Sequence, residues 1–315
     1  MEQELSSLIE LLEKNGENRL EYKTLREQMR RILSKDKRGE LVSLIPNSYL
    51  RKWFLADIRI ALRKKKIKDI VLYLQHALGI IKVQRIRIGI ESGEAQKLLI
   101  KKEDLKKGDI VLSYKTKSFL DKEFLSKLIA KAAYTSITHS SIVCEDEKGE
   151  LRKLTSYAQT WGLDALDLTP ESGEIFFILS ADPNFKYTQK LHKEIDNWYN
   201  MVRHKKDSLR MRWKLRFSET KCWSACVSGF VFTTTMRLTG AYIVIPNPLW
   251  LVSGYYCSEI LDIMFKRVGV TLSARTRRPA LLGPSDMMYS PYLQFKGLMA
   301  TPQDIAVLET EKIII

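Results

Sequence analysis

Histidine and cysteine are scarce, four of each in 315 residues. Four cysteines over that length (Cys144, Cys222, Cys226 and Cys257) are too few for a disulfide framework. Cys222 and Cys226 stand four apart, the spacing of one helix face rather than of a metal knuckle. His76, His139, His192 and His204 form no ligand cluster with them. The expectation is a reducing compartment, with no structural metal and no cofactor. Glycine-rich phosphate loops, a serine elbow and paired zinc motifs are also missing. The N-terminal stretch MEQELSSLIELLEKNGENRL has neither a basic leader nor an apolar core. A secretory signal peptide is therefore not expected, and a cytoplasmic location is the default. The apolar stretch beyond Lys221 is interrupted by Pro246, Asn247 and Pro248, which argues against a spanning helix.

Acidic residues are outnumbered, 37 Asp and Glu against 52 Lys and Arg, for a formal charge of +15. Such an excess suits an anionic partner: nucleic acid, an anionic lipid surface or an acidic substrate. No nucleic-acid motif is recognisable, so no specific nucleic acid is expected. The densest basic segment runs from Arg203 to Lys221, eight basic residues that include Arg210, Arg212, Lys214 and Arg216. Trp213 and Phe217 are interleaved with them, and after Lys221 only Arg237 is charged until Glu259. Two readings of residues 203–256 stay open. The basic part attracts an anionic membrane while Trp223, Phe230, Phe232 and Trp250 enter the headgroup region, giving peripheral association. Alternatively, Val227 to Tyr256 is a buried helical hairpin.

The hydrophobic share of 45% is ample for a core, and the length admits one large domain or two. Residues 1–100 read as helical. Ser7 and Glu10 make a capping box ahead of Leu8, Leu11 and Leu12, and Gly16 stops that helix. Leu20, Leu25, Met29, Ile32 and Leu33 mark a second helix. Asn47 or Ser48 can cap a third through Trp53, Phe54, Ile58 and Leu62, and a fourth follows the basic run Arg63 to Lys68. From Lys106 the pattern changes to short β-branched or alternating runs: GDIVLSY, THSSIVCED, GELRKLTSY and EIFFILS. A hairpin is expected around Glu147, Lys148 and Gly149. Helices are expected from Thr188 to about Val202 and from Cys257 to Gly269. Helices followed by an antiparallel sheet define an α+β class.

Cys257 opens the second of these helices, after the turn-prone Ser253 and Gly254. A helix N-terminus favours an anion, and its free amides can hold the oxyanion of a tetrahedral intermediate. A thiol there, with an imidazole nearby, is equipped for nucleophilic attack. His139 lies in a strand, expected to share a face with Ile137, Ser141 and Val143. The plainer readings are that Cys257 is a small buried hydrophobe and His139 a satisfied core residue.

The segments KKGDIVLSY, ITHSSIV, GYYCSEILDIMFKRVGVTL and LLGPSDMMYSPYLQF resemble the permuted papain-fold cysteine hydrolases related to the NlpC cell-wall endopeptidases, in particular the YiiX/YebB-like branch. The resemblance spans residues from about 106 to about 295. It implies a circularly permuted papain-like (NlpC-like) domain over 106–300, with an antiparallel sheet and a buried Cys-bearing helix. A helical extension over 1–100 would precede it, and 203–256 would be an insertion. In such proteins the catalytic His precedes the Cys, which makes Cys257 the nucleophile and His139 the general base. The family usually places a carboxylate or another polar group on the next strand to orient the imidazole. Here KLTSYAQTWGLDAL offers no acid before Asp164, so Ser156 is taken as the third member, with Thr155 and Gln159 as alternatives. Tyr256, just before the nucleophile, would shape the oxyanion side or merely pack. The implied activity is acyl-enzyme hydrolysis of a cell-wall-type peptide amide. A lipid acyl hydrolase or acyltransferase at a membrane, and a non-catalytic binding module, are the alternatives.

Overall fold

The computed structural model describes residues 1–15, 19–37, 39–120, 123–157, 162–182, 185–243, 245, 254–272 and 283–310. Gln159, Ser253, Pro246, Asn247, Pro248 and Trp250 lie outside the described residues.

The chain opens with five helices: α1 (Glu2–Asn15), α2 (Arg19–Lys37), α3 (Glu40–Leu44), α4 (Ser48–Arg63) and α5 (Ile67–Gly89). The first begins before the Ser7–Glu10 pair, so that pair lies inside the helix instead of capping it. Asn47 does cap α4, its side chain accepting from the amides of Tyr49 and Leu50 at 3.0 and 3.2 Å. Lys64 to Lys66 break the helical run, because consecutive like charges gain more from solvent than from a packed face. Asp57 and His76 meet across α4 and α5 at 2.7 Å, both buried.

The sheet has six antiparallel strands: β1 (Ile110–Lys115), β2 (Ile137–Glu145), β3 (Leu151–Tyr157), β4 (Gly162–Leu166), β5 (Glu174–Ala181) and β6 (Leu293–Met299). They lie in the order β4-β3-β2-β1-β5-β6. The β2–β3 turn is the expected hairpin, with Gly149 at φ +76°. Between the strands and after them run α6 (Lys117–Leu120), α7 (Phe124–Ala133), α8 (Thr188–Arg203), α9 (Leu209–Leu215), α10 (Glu219–Thr239), α11 (Cys257–Arg267) and α12 (Pro302–Thr310). The fold is α+β.

Strand alternation divides the core. Ile110, Leu112, Ile142, Leu154 and Phe177 point to the face that α11 covers with Ile260, Leu261, Met264 and Phe265. Val111, Val143, Phe176 and Ile178 point to the other face, packed by Leu105, Leu168 and Met299. Burial on both faces explains why these strands read as near-continuous apolar runs.

The N-terminal helices are not a separate unit. Their apolar residues belong to the same contiguous core as the α11 face of the sheet. Trp53 of α4 packs its ring 5.2 Å from Phe232 and 5.1 Å from Tyr289, and Tyr49 lies 5.3 Å from Tyr134. Gly79 of α5 sits directly on the Tyr289 backbone, where any side chain would collide with the carbonyl. The composition change near Lys106 therefore marks a change of secondary structure, not a domain boundary. Among the described residues no helix is long and apolar enough to cross a membrane.

Candidate active site

The site is built where β2 and β3 part. Their ladder runs from Glu145↔Leu151 to Ile142↔Leu154 and then stops. From there β2 pairs only with β1, and β3 only with β4. The backbone groups of Ser140 that an unbroken ladder would give to β3 find other partners. Its carbonyl accepts the Thr155 hydroxyl at 3.0 Å, and its amide points at the Cys257 thiol. The sulfur thus enters the opening of the fork.

The helix start that carries Cys257 is held from below. Tyr255 donates its amide to the Arg216 carbonyl at 2.9 Å, and Ser218 donates to the Tyr255 carbonyl at 3.0 Å. Gly254 makes this approach feasible: it has φ +92°, and an added Cβ would lie 2.6 Å from the Arg216 oxygen. Under the helix, Lys221 donates to Glu259 and to the Gly254 carbonyl, both at 2.9 Å. Lys221, the last residue of the basic segment, is buried.

Cys257 is buried, and burial pushes its thiol above the ordinary value. The amides of Ser140, Ser258 and Cys257 itself, and the Ser140 hydroxyl, pull the other way without prevailing. That hydroxyl has no hydrogen bond of full geometry, yet lies near enough to favour the thiolate. The expected helix-terminus activation is present but is outweighed by desolvation.

His139 does not leave the sheet on the side of α11. An extra residue, Thr138, shifts the register so that Ser113 pairs with His139 while Tyr114 pairs with Ile137. Ile137 consequently turns to the α11 face, whereas His139 joins Ser141 and Val143 on the Phe176 face. Burial, followed by the charges of Lys153 and Lys115, holds the imidazole well below its usual range, so it is neutral. The surface it keeps opens into a cavity of about 230 Å³ that Cys257 also lines, together with Thr138, Ser156, Tyr157, Phe217 and Cys222. The ring of Tyr157 lies 4.5 Å from that of His139, and burial raises its phenol. Cys257 and His139 therefore border one space from two faces of the sheet, meeting through the fork.

The group that orients His139 is Thr155, at 2.6 Å from Nε2. Because the Thr155 hydroxyl gives its single proton to the Ser140 carbonyl, it accepts from Nε2–H, which leaves Nδ1 with the free lone pair. Ser156 is corrected: alternation turns it to the other face, where its hydroxyl donates to the Tyr255 carbonyl at 2.9 Å. Tyr256 is buried against Cys222 and lines a second, smaller cavity of about 50 Å³. That cavity is walled by Ile129, Ala132, Ala225, Cys226 and Pro284 and also reaches Cys257. Tyr256 thus stands on the apolar side of the sulfur, while the hydrogen-bond donors at the sulfur are backbone amides and the Ser140 hydroxyl. Cys222 and Cys226 do share a face of α10, hydrogen-bonded to each other, which lowers Cys226 and raises Cys222. Cys144 is buried, its thiol pushed up to about 12.

Sequence reasoning did not identify Ser140, Thr138, Tyr157 or the Lys221–Glu259 pair. Tyr157 has a signal in hindsight: the hairpin register, extended past the fork, sets it opposite His139.

The fold and site define an α+β protein with a cysteine–histidine cavity at a sheet fork. No family model matches the chain, and neither does any curated protein. Among solved structures it is similar to the metalloprotein yiiX from Escherichia coli O157:H7, a DUF1105 protein. Identity is 12%, with 62% of this chain and 96% of that one covered, and a TM-score of 0.36. Among the described residues no group of three or more His, Cys, Asp or Glu is arranged to hold a metal ion.

Proposed function

We propose that this chain is a thiol hydrolase on a permuted papain-like fold, acting through an acyl-Cys257 intermediate on a peptide-type amide. The observation that carries the reading is the shared cavity, with the Cys257 sulfur in the β2–β3 fork and a neutral His139 bordering the same space. His139 takes the thiol proton on Nδ1 as the sulfur attacks the carbonyl carbon. The amides of Cys257, Ser258 and Ser140 receive the developing oxyanion. Collapse expels the amine, which takes the proton back from Nδ1, and water then releases the acyl group by the reverse relay. Thr155 fixes the tautomer throughout. The Thr138 hydroxyl, buried in the cavity wall without a partner, is an acceptor or donor left for substrate. Burial disfavours the charged form of both groups, so in this reading proton transfer accompanies attack.

A second reading, a binding module on this fold, is favoured by the depth of Cys257 and by the departure of His139 from the opposite face. Intact-mass measurement after exposure to p-nitrophenyl acetate and to peptide esters separates the two. The hydrolase reading expects one acetyl adduct on Cys257, absent in Cys257→Ala and slowed by two orders of magnitude or so in His139→Ala. No adduct on Cys257, or equal acylation in His139→Ala, assigns the cavity to binding alone.

A further inference from the structure

We propose that the outward face of α10, with Phe124 and α9 beside it, is a docking surface for an anionic lipid bilayer. Fourteen large apolar side chains are exposed among the described residues, and eight of them lie between residues 203 and 256. Such crowding in one part of the chain marks a patch, not ordinary scatter. On α10 the exposed large apolar residues are Trp223, Val227, Phe230 and Leu238, which helical spacing places on one side together with the exposed Arg237. The opposite side is already satisfied by burial of Cys222, Phe232, Thr233 and Met236. A helix of a globular protein presents polar residues on its solvent side, so an apolar stripe on both sides leaves one without a partner among the described residues. Phe124 of α7, 73% exposed, extends the stripe with its ring 6.0 Å from that of Trp223.

Charge selects the occupant. The segment leading into α10 exposes Leu209 and Trp213 between the exposed cations Arg210, Arg212 and Lys214, and Arg216 lies over the Trp213 ring at 4.6 Å. Aromatic and aliphatic side chains flanked by Lys and Arg suit the boundary between headgroups and acyl chains, where each basic residue adds attraction to anionic lipid. A polynucleotide would use the cations but has no use for Val227, Phe230 and Leu238. The association is peripheral, since no described helix can span a bilayer. The residues differ in part from those the sequence suggested: Phe232 is buried in the core and cannot enter lipid. Phe124 also lines the larger cavity, so docking would bring the mouth of that cavity to the lipid surface. The proposal does not depend on chemistry at Cys257.

Sedimentation of the full chain with large vesicles tests it. Phosphatidylcholine vesicles containing phosphatidylserine should carry the protein down, whereas pure phosphatidylcholine vesicles should not. Charge reversal at Arg210, Arg212 and Lys214 should weaken binding by about tenfold or more, and added salt should act likewise. Replacing Trp223, Val227 and Phe230 by Ser should weaken it by a similar factor in a protein whose melting curve is unchanged. Failure to bind the anionic vesicles at low salt overturns the proposal. So does a serine variant that binds as well as the parent, because attraction would then be charge alone. Tight binding of duplex DNA without any vesicle binding would assign the patch to nucleic acid and equally overturn it.

Discussion

Lys221 of α10 and Glu259 of α11 form a buried ion pair at 2.9 Å, two residues past the cysteine of the site. The pair ties the two helices that flank Cys257 together, and the Lys221 ammonium also holds the Gly254 carbonyl at the turn. Burial raises the Glu259 carboxyl, and Lys221 pulls it back. Lys221→Ala leaves an unpaired buried carboxylate and should cost about 3–5 kcal/mol at neutral pH. In that variant the folded carboxyl titrates still higher than the unfolded one. A group raised in the folded state is stabilising when protonated, so the deficit should shrink as pH falls. Urea unfolding at pH 7 and pH 5 checks this; an equal deficit at both would mean that the charge is not confined.

Thr155→Val keeps the shape of the side chain and removes only its hydroxyl. The imidazole Nε2–H and the Ser140 carbonyl then lose their partner, so the variant should be about 1–3 kcal/mol less stable. Acetylation of Cys257 should slow by about tenfold or more, because the ring is free to turn or to change tautomer. Ser156→Ala removes a bond to Tyr255 on the other face and should leave acetylation within about twofold of the parent. Equal slowing in the two variants would show that the effect is a general loosening of β3.

The four thiols should separate by reactivity in the resting protein. Burial raises Cys144, Cys222 and Cys257, whereas Cys226 is lowered by the hydrogen bond from Cys222 and is only partly buried. Iodoacetamide at pH 7 should therefore label Cys226 first, with Cys257 gaining on it only as pH rises past the ordinary thiol range. Peptide mapping at several pH values reads the order. Preferential labelling of Cys257 near pH 6 would mean that a thiolate is already formed there.

Gly79→Ala forces a methyl group into the Tyr289 backbone and should destabilise the whole protein, by about 1–3 kcal/mol if α5 can shift. Removal of residues 1–100 should do more. It strips Trp53 from Phe232 and Tyr289 and uncovers the apolar floor of the sheet. The truncated chain is expected to be insoluble or without a cooperative melt. A soluble truncation with a sharp thermal transition would restore the reading of these helices as an appendage.

Much of the fold is legible in the sequence. The GDIVLSY, THSSIVCED, GELRKLTSY and EIFFILS runs became β1, β2, β3 and β5, and the Cys257 helix begins at its predicted residue. The failures have physical causes. α10 opens in an ordinary capped turn but contains a Thr233–Thr234–Thr235 run and Gly229, residues of weak helix propensity, and reads as a bare apolar stretch. The register shift at Thr138 carries no glycine or proline to announce it, so alternation assigned Ile137 to the wrong face. The choice of Ser156 over Thr155 rested on type alone, since both carry a hydroxyl. Register and alternation distinguish them, placing Thr155 on the His139 face and Ser156 on the other. Which of two buried faces a helix covers is likewise invisible in a strand that is apolar on both sides.

The shared core also dictates an order of events during synthesis. α4 and α5 emerge from the ribosome early, but the ring that completes the packing of Trp53 belongs to Tyr289, and the last strand of the sheet follows at Leu293–Met299. The first helices must wait, partly uncovered, for segments far along the chain. Contacts of such high sequence separation slow folding and prolong the exposure of apolar surface. The apolar side chains of α4 that meet Tyr289 therefore stay uncovered until a residue more than two hundred positions later has been made.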